Sequence, residues 1–468
     1  MRSTRLTLAL SSSLLIVTLA GAVRASAAPP PPGGGGPQPI RVDPRSQLMI
    51  TDLAVVEDRL RTDPRNGERA AWTFKHLIEG MAGGQDTSEF VLHWLELWEK
   101  DQVVNGRVVA ARPAIREKLI DPWLAASGGS RLDLNRAPFK LLAIVNRMDL
   151  RQHEGASVIT AGEGRFVFGV LAPDGKPLLP IASDEPGGFT VIFEYELPAR
   201  DMKELGAWTK LWADLGKLRL GSSQYNQALE RITRRYSDAG SAPMKPNGNA
   251  LDQIRTNELS LARPWQLREF VIDRHSGQLA AHTVANTADS IELNGTPDLA
   301  TLINANEASL LAGTFDFPDS FLGASSLAGP FVEADFPDFA KRSFVTFDQG
   351  EGGLEIPWSA AGIHSNDARQ AFAVGTCGGC HRNETGTDFI HVGFPAEHRL
   401  PRTLGRPAAL SGFLTGIALS DPVDGTTSRS FGDLERRRLD LTQLIRSFSP
   451  MPSGPGPVDK PHKPRLVH

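Results

Sequence analysis

The apolar residues of the chain change their period along its length, and the changes set the expected architecture. Phe90, Trp94 and Trp98 recur every fourth position, and Asp86 with Glu89 has the spacing of a capping box. The stretch from about 46 to 127 is therefore predicted to be helical, with this aromatic stripe packed into a core. From about 132 the period is two. In RFVFGVL (165–171), Phe166, Phe168 and Val170 share one side, opposite Arg165, Val167 and Gly169. Phe189, Val191, Phe193 and Tyr195 alternate in the same way with Thr190, Ile192, Glu194 and Glu196. Together with LLAIV at 141–145, they predict a half-buried antiparallel or mixed sheet.

Helical spacing returns at 201–217, through Leu205, Trp208, Trp212 and Leu215, and again at 223–238. REFVIDRHSGQLAAHTV (268–284) reads as a hairpin turning near Ser276-Gly277. A helix at about 297–312 leads into a stretch broken by Gly and Pro, 313–362. NDARQAFAV (366–374) reads as a short helix, and DLERRRLDLTQLIRSF (433–448) as an amphipathic one with Leu434, Leu441, Leu444, Ile445 and Phe448 on its apolar side. Helices and strands fall in blocks rather than alternating, so the class is α+β: a helical N-terminal region, a mostly antiparallel or mixed sheet with helices, and a mainly helical C-terminal segment.

The ends of the chain bear on compartment. Arg2 and Arg5 precede an apolar run from Leu6 to Val23, and Ala25-Ser26-Ala27 follows it, which is the layout of a cleavable export signal over 1–27. The expected setting is periplasmic or secreted, the alternative being anchorage by an uncleaved signal. Residues 28–45, which contain PPPPGGGGPQP, read as a tether, and 451–468 as a proline-rich tail. The folded body then divides into 46–360, of open role, and 361–450. The formal net charge is −4, and removal of Arg2, Arg5 and Arg24 with the signal makes the remainder more acidic. That argues against nucleic acid and anionic membranes as main partners.

Candidate chemistry concentrates in GTCGGCHRNETGTDFIHV, 375–392. It holds Cys377 and Cys380, the two cysteines of the chain. Export places them in an oxidising compartment, yet their spacing rules out a disulfide scaffold stapling distant parts of the fold. C-x-x-C-H is the attachment signature of haem c: two thiols three residues apart reach the two porphyrin vinyl groups, and the next residue carries its imidazole under the ring. Gly378 and Gly379 would relieve crowding there. Rival readings are a redox or structural disulfide between the same cysteines, and a zinc site from Cys377, Cys380, His391 and His398, whose spacing misses the usual finger pattern.

Around CGGCH the segment resembles c-type cytochromes over about 90 residues, 365–455, with a helix before the motif and another near the end. The resemblance implies one haem c per chain, thioether bonds at Cys377 and Cys380, and His381 as the proximal iron ligand. It implies electron transfer with a periplasmic redox partner. Met451-Pro452 has the wording of a distal methionine but lies beyond the terminal helix, where the family places it before; His391 and His398 are the alternatives. AIVNRMDLR, GEGRF, PWQLREF and ETGTDFIHV also resemble phrases of an exported bacterial family, a likeness that implies no particular activity.

Other signals are incomplete. HEGAS (153–157) has Ser157 where a zincin helix needs its second histidine, and GVLAPDGKP (169–177) is one residue too long for a phosphate loop. Asp149, Glu163 and Arg165, and Arg255 with Glu258 in RTNE, read as structural ion pairs, the alternative being a substrate site. Glu384, Thr385, Thr387, Asp388 and His391 are placed either to orient His381 and meet haem propionates or to form a solvated turn. Whether the body 46–360 is catalytic stays open at this level.

Overall fold

The computed structural model describes residues 40–449 apart from 105, 155–156, 179–187, 263–264, 285–292, 319–325, 328–356, 388 and 396–404. The export signal (1–27), most of the tether, the tail with Met451, and His398 therefore lie outside the described residues.

The alternating segments form one antiparallel sheet. Its strands are β1 (Met49–Ile50), β2 (Phe139–Arg147), β3 (Gln152–Glu154), β4 (Ser157–Val170), β5 (Phe189–Pro198), β6 (Leu251–Glu258), β7 (Gln266–Ile272) and β8 (Leu279–His282). They run in the order β1-β2-β4-β5-β6-β7-β8, with β3 beside β4 and Ser326–Leu327 beside β7. Pairing fixes which side chains share a face. One row, Ile144-Phe166-Phe193-Ile254-Phe270, is apolar from edge to edge. The next row, Ala143-Val167-Ile192-Arg255-Glu269, lies on the opposite face and turns from apolar to charged along its length.

The apolar face is covered by α1 (Phe74–Met81), α2 (Thr87–Glu96), α3 (Met202–Leu215) and α4 (Ser223–Ser237). Asp86 caps α2, its carboxylate accepting from the Glu89 N–H at 3.0 Å. Phe90, Trp94 and Trp98 are wholly buried in the same cluster as Phe168, Phe193, Trp212 and Tyr236, so the aromatic stripe is core. Each such side chain contributes about 1.5–3 kcal/mol by leaving water. Within the region read as helical, Gln102–Val104 pairs instead with Arg107–Val109 as a hairpin.

The second face is covered by the C-terminal segment. Leu142, Ala143, Val145, Val167 and Ile192 from the sheet pack against Val374, Cys380, Val392, Phe413 and Leu414. After α5 (Pro297–Ala305) come α6 (Asn366–Val374) and, at the end, α7 (Asp433–Phe448). Between them the expectation of a mainly helical segment is only loosely met: β9 (Val392–Gly393) pairs with β10 (Ala409–Leu410), and β11 (Ile417–Ser420) with β12 (Ser428–Phe431). The described residues from Ile40 onward cluster as one compact unit, so the described part of 361–449 packs as part of the body.

Charge is sealed into this second interface. Arg165 bonds Glu163 at 2.5 Å and Glu194 at 3.1 Å, Arg255 bonds Glu269 at 3.0 Å, and Arg147 bonds Asp149 at 2.9 Å. Asp149 also receives Arg436 of α7 at 2.7 Å. Arg255 and Glu258 do not pair with each other. Three residues apart on one strand, they face opposite ways, and Glu258 takes Arg268 at 2.9 Å. Among the described residues no helix is long and apolar enough to cross a membrane.

Candidate functional site at Cys377, Cys380 and His381

Helix α6 starts at Ser365, whose hydroxyl accepts from the Ala368 N–H at 3.1 Å. Beyond Gly375, Thr376 restarts the helix: its hydroxyl donates to the Ala373 carbonyl at 2.7 Å and accepts from the Gly379 N–H at 3.0 Å. The indole N–H of Trp358 donates to the same oxygen at 3.0 Å. Gly379–Asn383 then forms a single wide turn, closed by the Glu384 N–H on the Gly379 carbonyl at 3.0 Å. Such π-type turns recur at functional positions.

Gly379 is needed for a reason the sequence reading did not supply. A Cβ there would stand 1.8 Å from the Ala373 carbonyl oxygen, so the crowding comes from the chain itself. Gly379→Ala is expected to cost about 3 kcal/mol in urea unfolding, the upper range for forced overpacking. An unchanged midpoint would show that the two helical pieces do not approach this closely.

The wide turn puts both thiols and the imidazole inside. Cys377, Cys380 and His381 are each 1% exposed or less. Cys377 packs with Trp265, Leu267 and Phe389, and Cys380 with the sheet residues Ala143, Val167 and Ile192. His381 Nδ1–H donates to the Phe389 carbonyl at 2.6 Å, and the Phe389 N–H donates back to the His381 carbonyl at 3.0 Å. Phe389 holds this pair with φ of +60°, a left-handed conformation that costs a bulky residue about 1–3 kcal/mol. With Nδ1 protonated, the neutral ring carries its lone pair on Nε2. The Trp265 ring lies 4.8 Å from the imidazole at 30°.

His391 arrives from the β9 side. Its Nε2 is 3.3 Å from Cys380 Sγ and its Nδ1 is 2.8 Å from Ser411 Oγ. Its ring centre is 4.4 Å from that of His381. Two imidazoles on opposite sides of one metal, each bonded at about 2 Å, stand further apart than this. In this arrangement His391 sits on the thiol side of the motif rather than across from His381. Ser411 and Trp265 were not singled out from sequence, and no local signal marks them, since each comes from a distant part of the chain.

ETGTDFIHV is an interior turn. Glu384, Thr385 and Thr387 are buried, and the Thr385 hydroxyl donates to the Cys380 carbonyl at 2.5 Å. Glu384 bonds Arg369 of α6 at 2.6 Å, and Arg369 bonds Asp421 at 3.0 Å. This buried triad ties the helix before the motif to the turn after it. Asp388 lies outside the described residues.

Burial pushes the His381 imidazole down to about 4, with the Arg255 charge adding to the shift and the Phe389 hydrogen bond opposing it. Burial, then His381 and Arg437, hold His391 well below the usual imidazole range. A histidine depressed on folding takes up its proton more readily when unfolded. The stability it contributes is complete above about 6.5 and is lost as pH falls toward 4. The haem-free polypeptide is thus expected to be at least about 2 kcal/mol less stable at pH 5 than at pH 7 by urea unfolding. A flat profile there would mean solvent reaches these rings.

The donor types are those of a covalent haem site, two thiols and an imidazole on one wide turn, and the hydrogen bond to the Phe389 carbonyl leaves the imidazole lone pair on Nε2. The packing around it is closed. A cavity of about 30 Å³ lies between His381, His391 and the sheet residues Arg147, Arg165, Val167, Ile192 and Asn257, with Arg437 of α7, and holds about two waters. A porphyrin requires the C-terminal segment to stand further from the sheet. For the rival readings, Cys377 and Cys380 are not joined by a disulfide. Among the described residues no group of three or more His, Cys, Asp or Glu is arranged to hold a metal ion. Comparison with protein-family models, curated proteins and solved structures returns no match to this chain.

Proposed function

We propose that the chain is an exported protein carrying one haem c, attached through Cys377 and Cys380 and ligated by His381, with electron transfer as its minimal activity. The observation that carries this reading is the reciprocal hydrogen-bonded pair between His381 and Phe389, which fixes the imidazole with Nε2 as its lone-pair nitrogen. Haem, when bound, supplies a one-electron redox centre. The chain's own residues do the rest. Phe389 sets the tautomer, Trp265 lies over the imidazole, and Arg369 with Glu384 holds the two sides of the motif together. Met451, His391 and His398 are the proposed distal candidates, His391 only if haem insertion moves it from the thiol side of the motif, and the proposed partner is a periplasmic redox protein.

The test is the mature protein from a host competent in cytochrome maturation, denatured and examined for a reduced pyridine haemochrome band and for mass. A band together with a mass increase of one haem supports the proposal; a bare polypeptide mass without a band ends it.

A second reading, a haem-free binding or scaffold protein, is favoured by the chain Cys380–His391–Ser411, in which a thiol meets an imidazole held by a hydroxyl. In that case the denatured mass falls by two hydrogens for a disulfide between Cys377 and Cys380, or is unchanged when zinc has been lost.

A further inference from the structure

We infer that the helix-covered face of the sheet carries a second binding site, for a small amphipathic organic anion such as an aromatic or alkyl carboxylate. β1 pairs with β2 only at Val145 and Ile144, and a cavity of about 370 Å³ opens beside the earlier part of β2. That is within the range of small-molecule sites. Its apolar wall is the half-buried ring of Phe139, which stacks on the buried Phe74 with 4.0 Å between ring centres and 4° between planes and is backed by the buried Trp72 and Phe168. A flat apolar ligand body has a matching wall there.

Charge selects the other end of the ligand. Arg59, Lys75 and Lys140 line the cavity with one carboxylate, Glu57, and Lys140 engages that carboxylate at 2.6 Å. Lys75 bonds the neutral Asn135 amide at 3.1 Å and stands 3.7 Å from Glu79. Arg59 has no carboxylate within 4.0 Å among the described residues, and it is exposed. One cation in excess, Arg59, with Lys75 beside it only loosely held by Glu79, suits one anionic group on an apolar body, because the Phe139 wall removes carbon surface from water while the rim keeps the charge hydrated and paired. None of the lining residues belongs to the Cys377–His381 turn, so the inference stands apart from the haem reading.

The probes are 2-naphthoate and its uncharged analogue 2-naphthamide, titrated calorimetrically into the full mature chain. The expected result is one saturable naphthoate site per chain, with the amide bound about tenfold more weakly or worse, the loss typical of a charge-assisted bond. Arg59→Gln with Lys75→Gln, both at the rim, is expected to bring naphthoate down to the level of the amide while leaving the amide unchanged. Ala137→Phe, which fills the cavity, is expected to remove both. Equal affinity for acid and amide, naphthoate binding that survives Ala137→Phe, or no saturable binding overturns the inference. The rim variant leaves the Phe139 wall intact and decides the matter even where Ala137→Phe fails to fold.

Discussion

Alanine at both Cys377 and Cys380 is expected to leave the denatured protein at its polypeptide mass, with no haem band, under conditions in which the wild type carries one haem. Each single variant retains one thioether, so its haem stays attached through denaturation but shows a band shifted by the vinyl group left unreacted. His381→Ala keeps both thioethers and loses the proximal ligand, which separates attachment from ligation in one series. The substitutions are small ones. Both thiols sit in apolar clusters, Cys377 against Trp265 and Leu267 and Cys380 against Val167 and Ile192, where alanine is tolerated at modest cost. A double variant that still gains the mass of one haem would place attachment elsewhere.

Arg369→Met carries the next largest effect. Arg369 is 2% exposed and Glu384 is wholly buried, so removing the cation strands that carboxylate without water, while Asp421 keeps Arg429 at 2.8 Å. Breaking a buried pair from one side costs about 3–5 kcal/mol, much more than an intact pair contributes. The expected readout is a urea midpoint lowered by that amount, together with exposure of Cys377 and Cys380 to a thiol reagent, since the triad joins α6 to the turn after the motif. Restoring neutrality with Glu384→Gln in the same chain should recover part of the loss. Equal thiol reactivity in wild type and variant would show that the triad stabilises the fold without holding the motif.

The elements were legible where the pattern is local. Leu205, Trp208, Trp212 and Leu215 announce α3 because each side chain reports its own helical face, and Gly277 announces the turn between β7 and β8. The hairpin at 102–109 was also legible, since VVNGRVV carries the Asn-Gly signature, but the helical spacing on its N-terminal side masked it. In the site, CGGCH named its own three residues. It did not name Ser411, Trp265, Arg369 or Asp421: Trp265 meets His381 only because the C-terminal segment lies on the sheet, and the other three meet their partners through folding of that segment over 15 to 52 residues, beyond any local period. Arg255 shows the limit from the other side: sequence proximity suggested Glu258 as its partner, while the alternation of the strand sends the two apart.

The closed packing of the second sheet face has a consequence in time. Both thiols are shut between the sheet and the C-terminal segment, beside space for about two waters, so no organic reagent reaches them once the layers have met. Strands β1 to β8 and helices α1 to α4 lie before residue 285 in sequence, and α7 joins their core late through Leu441, Leu444 and Ile445, whereas the lid that buries Cys377 and Cys380 is drawn from the segment after residue 357 and is latched by Arg436 on Asp149 and Arg151 on Asp440. Any covalent modification of this pair therefore belongs to the interval between emergence of the segment and the docking of α7, and the rate of that docking sets how long the interval lasts.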